Sequence, residues 1–267
     1  MTGTGGLLGV FAHPDDEAYS MAGLMARYTD EGIPVANLCF TRGEVGLIAE
    51  GSGATRETLG EVREAELRAA CAAVGVTDVR IVGTPDGGTE ANEEGVETIA
   101  AVVRELEPRV IVTMEPQGVT RHPDHIAVSQ MTSEAFHRVR EETGGTFPQR
   151  LYYAAIPKSA LDTFTDELQS RGLQGLTAPD DPLAVKPAPD ESIAAIVDVA
   201  AWYARKLAAL RAHLTQTFEM VAWMPEDLLP VFLGTEAFQR PFPPFTAGDA
   251  LEDDLLAVFR VADGGIA

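Results

Sequence analysis

Cysteine is almost absent from this chain of 267 residues: it has two, Cys39 and Cys71, each inside an apolar segment and not in a Cys-x-x-Cys pair. That excludes a disulfide framework as the basis of the fold, and both are expected to be buried thiols of a cytoplasmic protein. No leader-like segment stands ahead of them, and no apolar run approaches the roughly 20 residues that a membrane helix needs, so nothing is expected to span or anchor. Positive charge is scarce too. Lys and Arg number 20 against 41 Asp and Glu, a net charge of −21. Such a balance repels phosphate backbones and anionic membrane surfaces, so neither nucleic acid nor membrane is an expected partner, and the acidic excess most simply serves solubility. A dinucleotide fingerprint is missing as well, because Gly3, Gly5 and Gly6 precede the first apolar strand instead of following it.

What is present is a core-forming chain, 45% apolar, with no internal repeat and no low-complexity tract. One domain over residues 1–267 is expected. Leu7 to Ala12 is a continuous apolar run, as a strand buried on both faces should be, and Glu17 to Asp30 follows with helical spacing through Met21, Leu24, Met25 and Tyr28. The alternation continues with strand Val35 to Phe40, helix Leu59 to Val74, strand Val79 to Val82, helix Val96 to Leu106 and strand Arg109 to Thr113. Beyond these, helices are expected over Asp124 to Arg140 and Ser159 to Gln169, and a strand over Leu151 to Ile156. Ile193 to Val199 and Trp202 to Leu214 read as strand and helix, Thr177 to Pro189 as a surface connection, and the Pro- and Phe-rich tail after Met224 as a wrap around the core. The expected class is α/β, a Rossmann-like three-layer fold with a mostly parallel sheet. Ligands in such sheets bind outside the carboxyl ends of the strands.

Three of the five histidines fall in two short segments, His13-Pro14-Asp15-Asp16-Glu17 and His122-Pro123-Asp124-His125. The first directly follows a predicted strand and the second lies in the loop after another, so two distant segments can meet at one rim. His13, Asp16 and His125 make a three-ligand site for a divalent ion; neutral imidazole and carboxylate suit zinc, though iron and cobalt accept the same donors, and the fourth position stays open to water. Asp15, beside the ligand carboxylate, is the expected general base for water attacking a carbonyl carbon. His122 is expected to stabilise the oxyanion and then protonate the leaving amine, with Asp124 orienting it. His137 and His213 are expected to be structural, Met21 and Met25 to be core, and Glu61 to Arg68 to be a charged helix face with Glu64 and Arg68 paired four apart.

Ala12 to Glu17 together with His122 to His125 resembles the LmbE-like, or PIG-L, zinc-dependent N-deacetylases. The resemblance runs on through Thr41-Arg42-Gly43-Glu44, Val62 to Leu67, Pro85-Asp86-Gly87 and Lys206 to Gln216 with His213, and so spans roughly Leu7 to Gln216. It implies a Rossmann-like fold, one Zn2+ per chain on His13, Asp16 and His125, base chemistry by Asp15, His122 near the oxyanion, and Arg63 and Asp86 at positions that contact the sugar in relatives. The implied reaction removes an N-acetyl group from an N-acetylglucosamine-type conjugate, releasing acetate and a free amine. A homo-oligomer is implied more weakly. The alternatives are an amidase acting on a larger thiol or antibiotic conjugate, a non-catalytic sugar-binding relative, and a metal phosphoesterase, which would need a second metal. One departure stands out: some relatives carry Tyr two residues before the first His of the second segment, where this chain has Thr120 followed by Arg121, and Thr is too short to copy a phenol. Thr215 replaces the Ser that often precedes Gln216, a conservative change.

Overall fold

A computed structural model describes residues 5–173, 185–216, 224–246 and 248–262. Residues 177–184 of the expected surface connection therefore lie outside the described residues. In chain order the elements are β1 (Leu7–Phe11), α1 (Asp16–Asp30), β2 (Val35–Cys39), α2 (Leu59–Ala73), β3 (Asp78–Ile81), α3 (Glu93–Leu106), β4 (Val110–Met114), α4 (Gly118–Arg121), α5 (Pro123–Glu142), β5 (Arg150–Ala155), α6 (Lys158–Ser170), β6 (Ile193–Asp198), α7 (Tyr203–Ala212), α8 (Leu229–Leu233), β7 (Thr235–Phe242) and α9 (Ala257–Ala262). The expected elements through α7 are all found, most within one or two residues; α3 starts three residues early because Asn92 caps it, its side chain accepting from the Gly95 amide at 2.8 Å.

Among the described residues seven strands form one sheet, in the order β3-β2-β1-β4-β5-β7-β6. The first five are parallel, and β7 runs antiparallel to both β5 and β6. The chain leaves β1 for β2 on one side and returns to β4 on the other, so a crevice opens at the carboxyl ends of β1 and β4, the switch point of the sheet. β1, β2 and β4 are buried at every position, which is why they read as unbroken apolar runs. Two apolar clusters cover the two faces: Met21, Met25, Leu67 and Leu210 lie in one, and Ile99, Val103, Val128 and Phe136 in the other. Cys39 and Cys71 are free and buried, as expected.

The tail departs from expectation. Rather than only wrapping the core, it supplies β7, an eight-residue strand inserted between β5 and β6. Pro241, which has no amide to donate, sits where the register with β5 shifts and beyond the last residue paired with β6, so the sheet tolerates it. β7 also holds α1 in place. Met21 has φ −154°, outside the helical range, which breaks the i to i−4 ladder there. The released amides of Gly23 and Leu24 donate to the two carboxylate oxygens of Glu236, each at 2.8 Å, while Lys206 Nζ donates to the Tyr19 carbonyl at 3.3 Å and to Glu236 at 2.7 Å. The buried ion pair thus satisfies the backbone groups that the kink exposes.

Candidate metal centre and active site

His13 leaves the end of β1, and His122 and His125 follow β4, so the switch point brings all three imidazoles together. Ring centroids are 4.7 Å apart for His13 and His122 and 5.0 Å for His13 and His125. His13 Nδ1 and His125 Nε2 face each other at 3.0 Å. The Asp16 carboxylate lies beside them, its Oδ1 3.3 Å from His125 Nε2 and its Oδ2 3.7 Å from His13 Nδ1. Four-coordinate zinc with bonds of about 2.0–2.1 Å separates its ligand atoms by about 3.3 Å, so these spacings fit one ion. The donor atoms of His13, His122 and His125 also lie within 4.8 Å of one another, as do those of His13, Asp86 and Asp124.

Hydrogen bonding fixes which nitrogens are free. His125 Nδ1 lies 2.9 Å from the Gly118 carbonyl, which can only accept, so Nδ1 carries the proton and Nε2 presents a lone pair. His13 Nε2 faces Asp86 Oδ1 at 3.1 Å and Asp124 Oδ2 at 3.3 Å, which places a proton there and turns Nδ1 toward His125. A cation must stand between these two nitrogens: either a second proton on His13, shared with His125 as an N–H···N bond, or a metal ion in its place. Without a metal, the electrostatics favour the proton. Burial pulls His13 down, but its bonds to Asp124 and Asp86 and the charge of Asp16 outweigh that and push it up to about 10. Asp16 is held by the amides of Ala12 and His13, which donate to its Oδ2 at 3.2 and 2.8 Å.

Asp15 stands between two of these residues in a backbone conformation that side chains avoid, φ 116° and ψ −27°. Such a conformation costs about 1–3 kcal/mol and persists only when its surroundings impose it. Burial pushes the Asp15 carboxyl up and Arg63 opposes it, leaving it at about 6. Arg63, on α2, donates through Nη2 to Asp15 Oδ2 at 3.0 Å and to the Pro14 carbonyl, and through Nη1 to the Gly43 carbonyl at 3.0 Å. A Cβ at Gly43 would lie 2.3 Å from Arg63 Nη1, so only glycine lets the guanidinium approach, and φ +65° there suits glycine as well.

Asp124 corrects one expectation. Its carboxylate does not orient His122; it bonds His13 Nε2 and accepts the amides of Gly87 at 2.8 Å and Thr89 at 3.2 Å. What it gives His122 is its backbone amide, which donates to Nδ1 at 3.3 Å. A neutral His122 therefore carries its proton on Nε2 and offers an N–H donor. Burial lowers its pKa, and the neighbouring His13 and His125 lower it further. Asp86 spends its other oxygen on the Val45 amide at 3.0 Å, and burial's upward push on it is outweighed by His13, which holds it at about 2. Arg63 and Asp86, both expected near a sugar, have most of their polar atoms engaged within the cluster; Arg63 Nε is buried without a partner among the described residues. Thr120 and Arg121 form the last turn before His122, where Arg121 is exposed with φ 63°.

The run Glu61 to Arg68 is only partly a solvated face. Glu64 and Arg68 pair at 3.0 Å as expected, but Arg63 and Glu66 point inward. Glu66 accepts the Thr215 amide at 2.8 Å and its hydroxyl at 2.6 Å, so Thr keeps the hydroxyl that Ser would offer. His137 packs on Phe136 and Phe242 and touches nothing in the site. His213 was not expected to serve the site, yet its Nε2 bonds Glu17 Oε1 at 2.9 Å, and Glu17 Oε2 accepts the Asp15 amide at 3.0 Å. Burial lowers the His213 pKa, but the charge of Glu17 outweighs it and raises it overall. Two signals stood in the sequence: Glu17, a carboxylate where α1 enters the core, and the resemblance that runs through Lys206 to Gln216 with His213.

Comparison with known proteins adds the family. Residues 8–136 match the family model described as PIG-L, GlcNAc-PI de-N-acetylase. The chain is 34% identical, over 97% of both lengths, to a 1D-myo-inositol 2-acetamido-2-deoxy-alpha-D-glucopyranoside deacetylase of Acidothermus cellulolyticus. Among solved structures it resembles the conserved protein TT1542 of Thermus thermophilus, with a TM-score of 0.61, 23% identity, and coverage of 92% of this chain and 99% of that one. It also resembles GalB, the 4-carboxy-2-hydroxymuconate hydratase of Pseudomonas putida, with a TM-score of 0.60, 17% identity, and coverage of 92% and 100%. A hydratase on the same fold means that the reaction must be argued from the sequence relatives and the site, not from the architecture. On sequence similarity along nearly its whole length, the chain belongs to the PIG-L, or LmbE-like, family of deacetylases.

Proposed function

We propose that this chain is a single-domain, zinc-dependent hydrolase that removes the acetyl group from an N-acetylglucosamine-type conjugate, releasing acetate and a free amine. The observation that carries the reading is the pair of imidazole nitrogens, His13 Nδ1 and His125 Nε2, facing at 3.0 Å beside the Asp16 carboxylate. These three residues would hold the ion. Bound there, it would supply Lewis acidity toward the acyl oxygen and toward water. Asp15 is the general base: its Oδ2 is held by Arg63, its carboxyl is raised to about 6, and it takes the proton of the water that adds to the acetyl carbon. His122 offers its Nε2 proton to the oxygen of the tetrahedral intermediate. As the C–N bond breaks, the proton that Asp15 took from the water passes to the departing nitrogen, the donor role expected of His122 from the sequence, and acetate and the free amine leave. Asp124 and Asp86 act through His13, holding its tautomer. Arg63 and Asp86 stand in the wall where the sugar would lie. The inositol-linked glucosaminide named for the Acidothermus relative is the first substrate to try. Two free cysteines, both buried, suit a reducing compartment such as the cytoplasm, and no helix among the described residues is long and apolar enough to cross a membrane.

The test pairs metal analysis with acetate release from a panel of N-acetylated sugars and their conjugates. About one zinc per chain, and acetate release abolished by a chelator and restored by zinc, is the expected result. Full activity in metal-free protein would overturn it.

A further inference from the structure

We propose that His213 is a positioning residue that acts through Glu17 to hold Asp15 in its left-handed backbone conformation, an inference that rests on Asp15 being the base. Asp15 is not glycine, yet it has φ 116°, so contacts must hold it there. They come from two directions. Arg63 grips the side chain and the carbonyl of Pro14, and Glu17 Oε2 accepts the Asp15 amide at 3.0 Å. Glu17 is itself only 2% exposed, so its carboxylate needs a second buried donor to stay in that pose. His213 is that donor, also 2% exposed, at 2.9 Å and 196 residues further along the chain. Its other nitrogen, Nδ1, is buried without a partner among the described residues, so the bond to Glu17 is the polar contact the ring makes. By contrast, Asp16 is fixed independently by the amides of Ala12 and His13. Loss of the His213 bond should therefore disturb the base and spare the metal ligands.

That separation gives the experiment. His213→Leu removes the donor, and His213→Gln restores an N–H at similar reach. Zinc-loaded proteins are compared for metal content, melting temperature, kcat and KM on an acetylated glucosamine conjugate. The Leu variant should keep about one zinc per chain and a KM within about twofold, while kcat falls on the order of 10- to 100-fold, as small displacements of a reacting group do; the Gln variant should regain most of the kcat. A Leu variant with wild-type kcat, a loss of kcat that tracks zinc loss, or an equal loss in both variants would overturn the proposal. If His213→Leu does not fold, Glu17→Gln provides the same reading, with the same split expected and wild-type kcat overturning it. Asp15→Asn separates the two claims: if it turns over normally, the assignment of the base fails, whereas an inactive Asp15→Asn beside a fully active His213→Leu defeats only the positioning role.

Discussion

Two buried polar clusters meet α1, and they are built on opposite principles. Midway along the helix, Glu236 and Lys206 match every group they meet: two amides and an ammonium satisfy the carboxylate, and the ammonium also covers a carbonyl. At the amino end, the carboxylates of Asp16, Asp86 and Asp124 crowd around His13 while that of Asp15 pairs with the Arg63 guanidinium, a backbone residue is strained, and two imidazole nitrogens face each other. The first cluster is complete without a ligand. The second holds more carboxylates than basic side chains and leaves its facing nitrogens to a proton or a metal ion. A buried charge that lacks its partner is destabilising, so the amino-end cluster is where stability is given up for chemistry, and the mid-helix pair is where the fold recovers its register.

The sharpest way to break this contrast is to remove one charged group from each cluster and compare what is lost. Asp15→Asn should lower kcat on the order of 10²- to 10⁴-fold while zinc content and melting temperature stay near wild type, because a general base contributes that much and its amide is nearly isosteric. Zinc analysis and steady-state kinetics on one preparation check it, and wild-type turnover would remove Asp15 from the reaction. Lys206→Met should do the reverse. It strands Glu236 in the core and should cost about 3–5 kcal/mol of unfolding free energy, read from urea denaturation, with kcat per folded molecule unchanged. A variant as stable as wild type but slow would mean that the two clusters are not separable. Between these lies Asp124→Asn, which keeps the shape and withdraws one carboxylate from His13 Nε2. Zinc affinity, measured by competition with a chelator, should fall on the order of 10- to 100-fold, and an unchanged affinity would make Asp124 a loop anchor for Gly87 and Thr89 alone.

How much of this was legible in the sequence follows the same division. His13, Asp16 and His125 could be read because short spacings after apolar runs fix where the backbone turns, and the switch-point rule says where two such turns meet. The partner of Asp124 could not. Proximity in sequence pointed to His122, but the loop from Gly83 crosses above the site and its amides, together with His13, claim the carboxylate. The pairs Lys206–Glu236 and His213–Glu17 were equally hidden, since they join residues 30 and 196 positions apart and leave no periodic trace. β7 was missed for a local reason: Pro241 and its neighbouring phenylalanines look like an irregular tail, and only the shifted register explains why a proline is accepted there.

The smallest effect tests whether matched clusters elsewhere in the carboxyl-terminal half behave as the Glu236 pair does. Asp254 accepts the Tyr28 hydroxyl at 2.6 Å, the Leu256 amide at 2.9 Å and Arg260 Nε at 2.7 Å, tying the end of the chain to α1. Burial raises its carboxyl, but these bonds and the charges of Arg260 and Arg27 outweigh it and hold its pKa below the ordinary 3.8. A carboxylate depressed in the folded state stabilises fully at any pH above its unfolded value, because both states are then ionised and only the folded one has the partners. Below pH 3.8 the unfolded chain takes up the proton first, and the contribution fades as pH falls toward the folded value. Asp254→Asn should therefore cost about 2 kcal/mol at pH 7, the worth of hydrogen bonds to a charged group, and progressively less under acid. Urea denaturation of wild type and variant at pH 7 and pH 3 measures the difference. A cost that stays constant across that range would mean that shape and packing, not the ionised carboxylate, hold the tail to α1.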